Sequence, residues 1–150
     1  MHSIIRKIFI LDDVKSFLKG YKEMVPHFNL RSVDFTLLTP SWSELVDHPE
    51  LPQSSLILID FTLDSDSGSK GGPSIHNQLN LKEGHINGFD IARVCKEIAK
   101  NASIKILTAN PKLAIQTLKS NPSYSSVCDV SDIIQKPLTL RCMANIVDSI

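Results

Sequence analysis

Four short apolar runs in this 150-residue chain each lead into a side chain able to do chemistry. Ile8-Phe9-Ile10-Leu11 runs into Asp12-Asp13, and Leu56-Ile57-Leu58-Ile59 into Asp60. Ile104-Lys105-Ile106-Leu107 ends on Thr108, and Ile133-Ile134-Gln135 on Lys136-Pro137. Three carboxylates brought to one place repel, and like charges at short range push their pKa values apart. A hard dication removes that penalty, and a few carboxylates plus water suit octahedral Mg²⁺. A carboxylate beside a metal ion and a cation can act as a nucleophile toward phosphorus. The Lys136 ammonium would balance phosphoryl charge, and the Thr108 hydroxyl would bond a phosphoryl oxygen. Singly, each residue has a plainer reading. Aspartates after strands cap helices, a lysine is usually solvated, and threonine suits a strand. Together, at four run ends, they point to an active site.

The elements that must position them follow from the apolar periods. Strands are expected at 4–11, 33–38, 56–60, 104–108 and 132–135. Between the first two, Val14, Phe17, Leu18, Tyr21, Val25 and Phe28 recur at helical spacing. Ser41-Trp42-Ser43-Glu44 has the form of a capping box and opens a brief helix before Pro49. Ile91, Val94, Cys95, Ile98 and Ala99 trace a helix over 88–100. A helix at 111–120 has Pro111 in its first turn, and 138–150 closes the chain as a fifth. Five strand–helix units in alternation predict an α/β fold around a parallel sheet. Ligands of such sheets sit outside the carboxyl ends of the strands, which is where Asp12, Asp13, Asp60, Thr108 and Lys136 fall. Residues 61–87 break the rhythm. They form a Ser-, Gly-, Asn- and Asp-rich insertion, far beyond the roughly 2–6 residues of an ordinary strand–helix connection.

The totals bound the rest. An apolar fraction of 42% in 150 residues suits one globular domain spanning 1–150. Sixteen basic and sixteen acidic residues cancel, so no basic footprint points to nucleic acid or to a membrane surface. The apolar runs are too short to span a bilayer, and two acids end the first of them too soon for a signal peptide. Cys95, Cys128 and Cys142 are odd in number and widely spaced. That is the pattern of free thiols in a reducing cytoplasm.

ILDD at 10–13, LILIDF at 56–61, NGFDIARVCKEI at 87–98, ILTAN at 106–110 and IIQKPL at 133–138 stand in one order. In that order they closely resemble the response-regulator receiver family, CheY-like, over the whole chain apart from the insertion. The resemblance implies a flavodoxin-like, doubly wound five-stranded parallel sheet of order 2-1-3-4-5 with five helices. It makes Asp60 the phosphoacceptor, Asp13 a direct Mg²⁺ ligand, Asp12 an indirect one, and Thr62 a ligand through its backbone carbonyl. Thr108 becomes the switch hydroxyl, Lys136 the phosphoryl-balancing cation, and Lys136–Pro137 a cis peptide. Thr62 and Asn110 fall where the family tunes access of hydrolytic water. The implied activity is Mg²⁺-dependent acceptance of a phosphoryl group from a sensor histidine kinase or histidine phosphotransfer protein. Self-phosphorylation and autodephosphorylation would accompany it. Output would pass to a separate protein or through a homodimer. A wide apolar arc on the last helix (Leu138, Leu140, Cys142, Met143, Ile146, Val147, Ile150) points to such a surface.

Two departures qualify the resemblance. Ile133 stands where many receivers carry a switching aromatic, and Tyr124, in the loop before the fifth strand, is not in that position. The insertion carries three decoys on Asp64 and Asp66: an incomplete calcium loop, a phosphate loop without its GK[ST] ending, and a phosphatase-type DxD pair. His76 and His85 could bind a metal, although polar loop histidines are usually just solvated. The alternative function is a pseudo-receiver adaptor that signals through the insertion without phosphorylation. A metal-dependent phosphatase built on Asp64 and Asp66 is the other rival.

Overall fold

The computed structural model describes residues 4–63 and 86–150. Five parallel strands form one sheet: β1 (Arg6–Leu11), β2 (Val33–Thr39), β3 (Ser54–Asp60), β4 (Ser103–Thr108) and β5 (Ile133–Gln135). Their order is β2-β1-β3-β4-β5, with β1 and β3 central, as the resemblance implies. Helices α1 (Lys15–Met24), α2 (Trp42–Val46), α3 (Gly88–Ile98), α4 (Pro111–Ser120), α5 (Pro122–Ser125) and α6 (Leu140–Asp148) complete it. The sixth helix is the single turn α5, which periodicity over a longer window does not reveal.

The two-residue period of the strands divides the core in two. Ile8, Ile10, Leu56 and Leu58 face one side with Leu18, Tyr21, Met143 and Val147, beneath α1 and α6. Phe9, Leu11, Ile57 and Ile59 face the other with Trp42, Leu45, Phe89, Ile91, Cys95, Ala114 and Tyr124. Each large apolar side chain so buried contributes about 1.5–3 kcal/mol, and the two central strands bury nearly all of theirs. They read as continuous apolar runs because both of their faces are covered.

Three features differ from the periodic reading. The first helix stops at Met24 and continues as a 3₁₀ turn, Val25–Phe28. Pro26, which has no N–H to donate, sits in its first turn; Phe28 keeps its buried place. The Ser41 capping box is half made: Ser41 Oγ accepts the Glu44 N–H at 3.3 Å. The Glu44 carboxylate turns back to accept the Thr39 hydroxyl at 2.8 Å. A complete box lies instead at Asn87 and Asp90, opening α3. The apolar arc of the last helix is core and not an open surface. Leu138, Met143, Ile146 and Val147 are buried, Cys142 and Ile150 are half-buried, and Leu140 alone is exposed. Two buried cysteines, Cys95 and Cys128, have thiols that burial pushes up to about 12. They act as small apolar side chains. Among the described residues no helix is long and apolar enough to cross a membrane.

Candidate functional site

The parallel ladder delivers the strand ends to one rim. Asp12 N–H donates to Thr39 O at 3.1 Å, Phe61 N–H to Leu107 O at 2.8 Å, and Lys136 N–H to Thr108 O at 2.8 Å. Each bond extends the sheet one residue past its strand, so Asp12, Asp60 and Lys136 are set by backbone rather than by loops. The Lys136–Pro137 peptide is cis. Glycine is required at 88: a Cβ there would lie 2.5 Å from the Asp60 carbonyl oxygen and 2.9 Å from Phe61 Cα. Gly88 N–H donates to Phe61 O at 2.8 Å, and Thr62 pairs with Asn87 as an isolated antiparallel bridge. The chain on both sides of 64–85 is thereby tied to the end of β3. Asp64, Asp66, His76 and His85 lie outside the described residues.

Asp12, Asp13 and Asp60 offer carboxylate oxygens that all lie within 4.8 Å of one another. Lys136 Nζ enters the cluster, 2.9 Å from Asp60 Oδ1 and 3.2 Å from Asp12 Oδ2. Asp12 is wholly buried, and its three donors leave it no face toward solvent. Val14 N–H reaches Oδ1 at 3.0 Å, and the Tyr21 hydroxyl reaches Oδ2 at 3.1 Å beside Lys136. Asp60 is 2% exposed, and its Oδ2 is buried with no hydrogen-bond partner among the described residues. Burial above all, with Asp12 and Asp13 beside it, pushes the Asp60 carboxyl up to about 8 against the pull of Lys136. A cleft of about 450 Å³ opens over this group, lined by Asp13, Val14, Phe17, Asp60, Thr62, Leu63, Ala109 and Lys136.

The expected residues divide within this geometry. Asp13, Asp60, Lys136 and Thr62 line the cleft, and Asp12 lies behind them. Thr108 is buried at the end of β4 but does not line the cleft; its Oγ1 accepts the Asn110 N–H at 2.9 Å. Asn110 in turn caps α4 by accepting the Leu113 N–H. Sequence reading missed Phe17, whose ring centroid lies 4.3 Å from Lys136 Nζ, and the role of Tyr21. Both belong to the apolar stripe of α1, so their spacing signals core and nothing more. It also placed Tyr124 in a loop. Tyr124 is buried on α5, stacks on Phe89 at 5.2 Å and donates to Asp90 Oδ1 at 2.8 Å.

The residues present fit Mg²⁺. The donor set is all oxygen, three carboxylates converge, and one buried carboxylate oxygen of Asp60 has no hydrogen-bond partner among the described residues.

No family model matches the chain, and no curated protein matches it. Solved structures do. The chain is similar to the BeF3-activated DrrB receiver domain (TM-score 0.60, 18% identity, 97% of each chain). It is also similar to a CheY-like receiver domain protein from Methanospirillum hungatei JF-1 (0.60, 17%, 98% of this chain and 93% of that one). A third match is the isolated receiver domain of RcsB from Salmonella enterica serovar Typhimurium (0.59, 16%, 95% and 86%). The fold is that of response-regulator receiver domains, and the acidic cluster stands at its carboxyl rim.

Proposed function

We propose that this chain is a phosphoacceptor module that takes a phosphoryl group onto Asp60 from a phosphohistidine donor, a histidine kinase or a histidine phosphotransfer protein. The observation that carries this reading is Asp60 itself. It is a buried carboxylate at the lip of a cleft, with one oxygen on Lys136 and the other without a partner among the described residues. An oxygen of the ionised Asp60 carboxylate, its proton already lost to solvent, bonds phosphorus as the phosphorus–nitrogen bond of the donor breaks, and the electron pair leaves with the imidazole. Lys136, hydrogen-bonded to the other Asp60 oxygen, balances charge on the phosphoryl oxygens as the carboxylate loses its own. Asp13 and Asp60, with the Thr62 carbonyl, are the groups that would hold Mg²⁺, and Asp12 would act from behind them. Bound Mg²⁺ supplies neutralisation of the phosphoryl charge that three acids and one lysine do not. The Thr108 hydroxyl accepts the Asn110 N–H and keeps its own proton to donate to a phosphoryl oxygen.

Intact-mass spectrometry after incubation with acetyl phosphate, with and without Mg²⁺, tests the reading. The expected result is one phosphoryl adduct that needs Mg²⁺ and disappears in a folded Asp60→Ala variant. An adduct that survives in Asp60→Ala, or none in the wild type, overturns it. The adaptor reading draws on Ile133, which is half-buried against the core and offers no ring to turn. It expects partner binding that is indifferent to acetyl phosphate.

A further inference from the structure

We propose that Tyr21 is a positioning residue of the acidic site, holding the Asp12 carboxylate so that Lys136 is shared with Asp60 rather than captured by Asp12. The inference deepens the reading of the cluster as a Mg²⁺ site and rests on it.

Tyr21 is 2% exposed and sits in the core layer beneath β1 with Leu18 and Ile10. Its ring is therefore held by packing and its hydroxyl has one direction to point. That hydroxyl donates to Asp12 Oδ2 at 3.1 Å. Lys136 Nζ reaches the same oxygen at 3.2 Å and Asp60 Oδ1 at 2.9 Å, leaning toward Asp60. The Val14 N–H fixes Oδ1 of Asp12 at 3.0 Å. Three donors thus hold one carboxylate, and only one of them is an ion. Burial first, and the adjacent Asp12, push the Tyr21 phenol far above its ordinary value, so it remains an O–H donor. Phe17, one turn earlier on the same side of α1, presents its ring to Lys136 Nζ at 4.3 Å. The two α1 residues therefore contact the two members of the Asp12–Lys136 pair.

Without the Tyr21 hydroxyl, Oδ2 of Asp12 has the ammonium as its one remaining donor among the contacts described. A buried anion draws its remaining cation closer. Lys136 would move toward Asp12 and away from Asp60, and the Asp12 carboxylate would turn about its own bond. A group behind the ligands that orients a carboxylate is felt in metal affinity.

The test is Mg²⁺ titration of the full chain, followed by amide chemical shifts, for wild type, Tyr21→Phe and Tyr124→Phe. Tyr124→Phe is the matched control: it also deletes a hydroxyl bonded to a buried aspartate, but away from the cluster. The expected result is a dissociation constant raised about 10-fold in Tyr21→Phe and unchanged in Tyr124→Phe. Equal affinity in wild type and a folded Tyr21→Phe overturns the proposal, as does a wild type that binds no Mg²⁺. If Tyr21→Phe does not fold, the ¹³Cζ resonance of Tyr21 in the wild type decides the matter. It should move with the midpoint of the Mg²⁺ titration, and a stationary resonance overturns the proposal. Wild type that binds Mg²⁺ but forms no acetyl-phosphate adduct sinks the phosphoacceptor reading and leaves the role of Tyr21 standing.

Discussion

The chain has two tyrosines, and each spends its hydroxyl on a buried aspartate, on opposite faces of one sheet. Tyr124 meets Asp90, 1% exposed, whose other oxygen accepts the Asn87 N–H at 2.9 Å. Those donors satisfy both oxygens of Asp90, and its position at the third residue of α3 sets its charge against the positive end of the helix dipole. Tyr21 meets Asp12, which shares its surroundings with Asp13, Asp60 and a single lysine. One pair is electrostatically closed; the other belongs to a cluster with more negative than positive charge. The same side-chain pairing serves stability in the first case and, in the second, keeps a crowded set of charges in order. Substitutions at the two ends should therefore differ in kind: loss of stability at Asp90, and changes in ligand affinity and pH response at Asp60.

The one gain in stability is expected at the acidic cluster, at Asp60. The raised Asp60 pKa means that the folded state holds this proton more tightly than the unfolded chain does. The stability it contributes is fully present below pH 4 and is lost as pH rises through about 8. With Mg²⁺ removed by chelator, Asp60→Asn should therefore be more stable than wild type by about 2–4 kcal/mol at pH 8. The gap should close as pH falls toward 4. Urea unfolding at a series of pH values checks it; a variant less stable than wild type at pH 8 would show that the Lys136 ion pair outweighs burial.

Next come two substitutions where the chain returns to β3. Asp90→Ala removes a buried cap and strands the Asn87 N–H and the Tyr124 hydroxyl. It should cost about 2–4 kcal/mol in urea unfolding with Mg²⁺ affinity unaltered. Gly88→Ala places a methyl group against the Asp60 carbonyl and Phe61 Cα, both backbone atoms with little room to yield. It should cost about 1–3 kcal/mol by overpacking. Unlike Asp90→Ala, it should also slow acetyl-phosphate labelling, since what must move carries the acceptor. Unchanged labelling in Gly88→Ala would mean that the two ends are mechanically separate.

How legible these regions were in the sequence follows from how far each signal extends. Asp12, Asp13, Asp60 and Lys136 announce themselves because an apolar run followed by a charge is a local pattern. The parallel ladder then brings the ends together without further instruction. Tyr21 was legible only as a member of an apolar stripe. Its partner lies nine residues back, just past the end of β1, and nothing in helical spacing records a hydroxyl aimed at a strand end. Tyr124 was hidden because α5 is one turn long; Asn121, which caps it, and Pro122 at its start were the available signs. The last helix misled for the opposite reason. Its apolar residues exceed what one helix face needs, yet Leu138 and Met143 fill the space over β1, β3 and β4 that α1 leaves.

The smallest effect tests the closed end by itself. Tyr124→Phe keeps the ring on Phe89, and Phe89 on Phe61, while deleting one buried hydrogen bond to Asp90. Asp90 retains the Asn87 N–H and the helix N-terminus, so it is weakened but not abandoned. The expected loss is about 1 kcal/mol, the usual net worth of such a bond, read as a lower urea midpoint with an unchanged slope. Combining it with Asp90→Ala should then add almost nothing, because the bond is already gone; full additivity of the two losses would show that the hydroxyl acts through another partner, the Asn87 side-chain amide that donates to it at 3.4 Å. A wild-type-like Tyr124→Phe would remove the hydroxyl from the closed pair and leave the cap at Asn87 as its whole support.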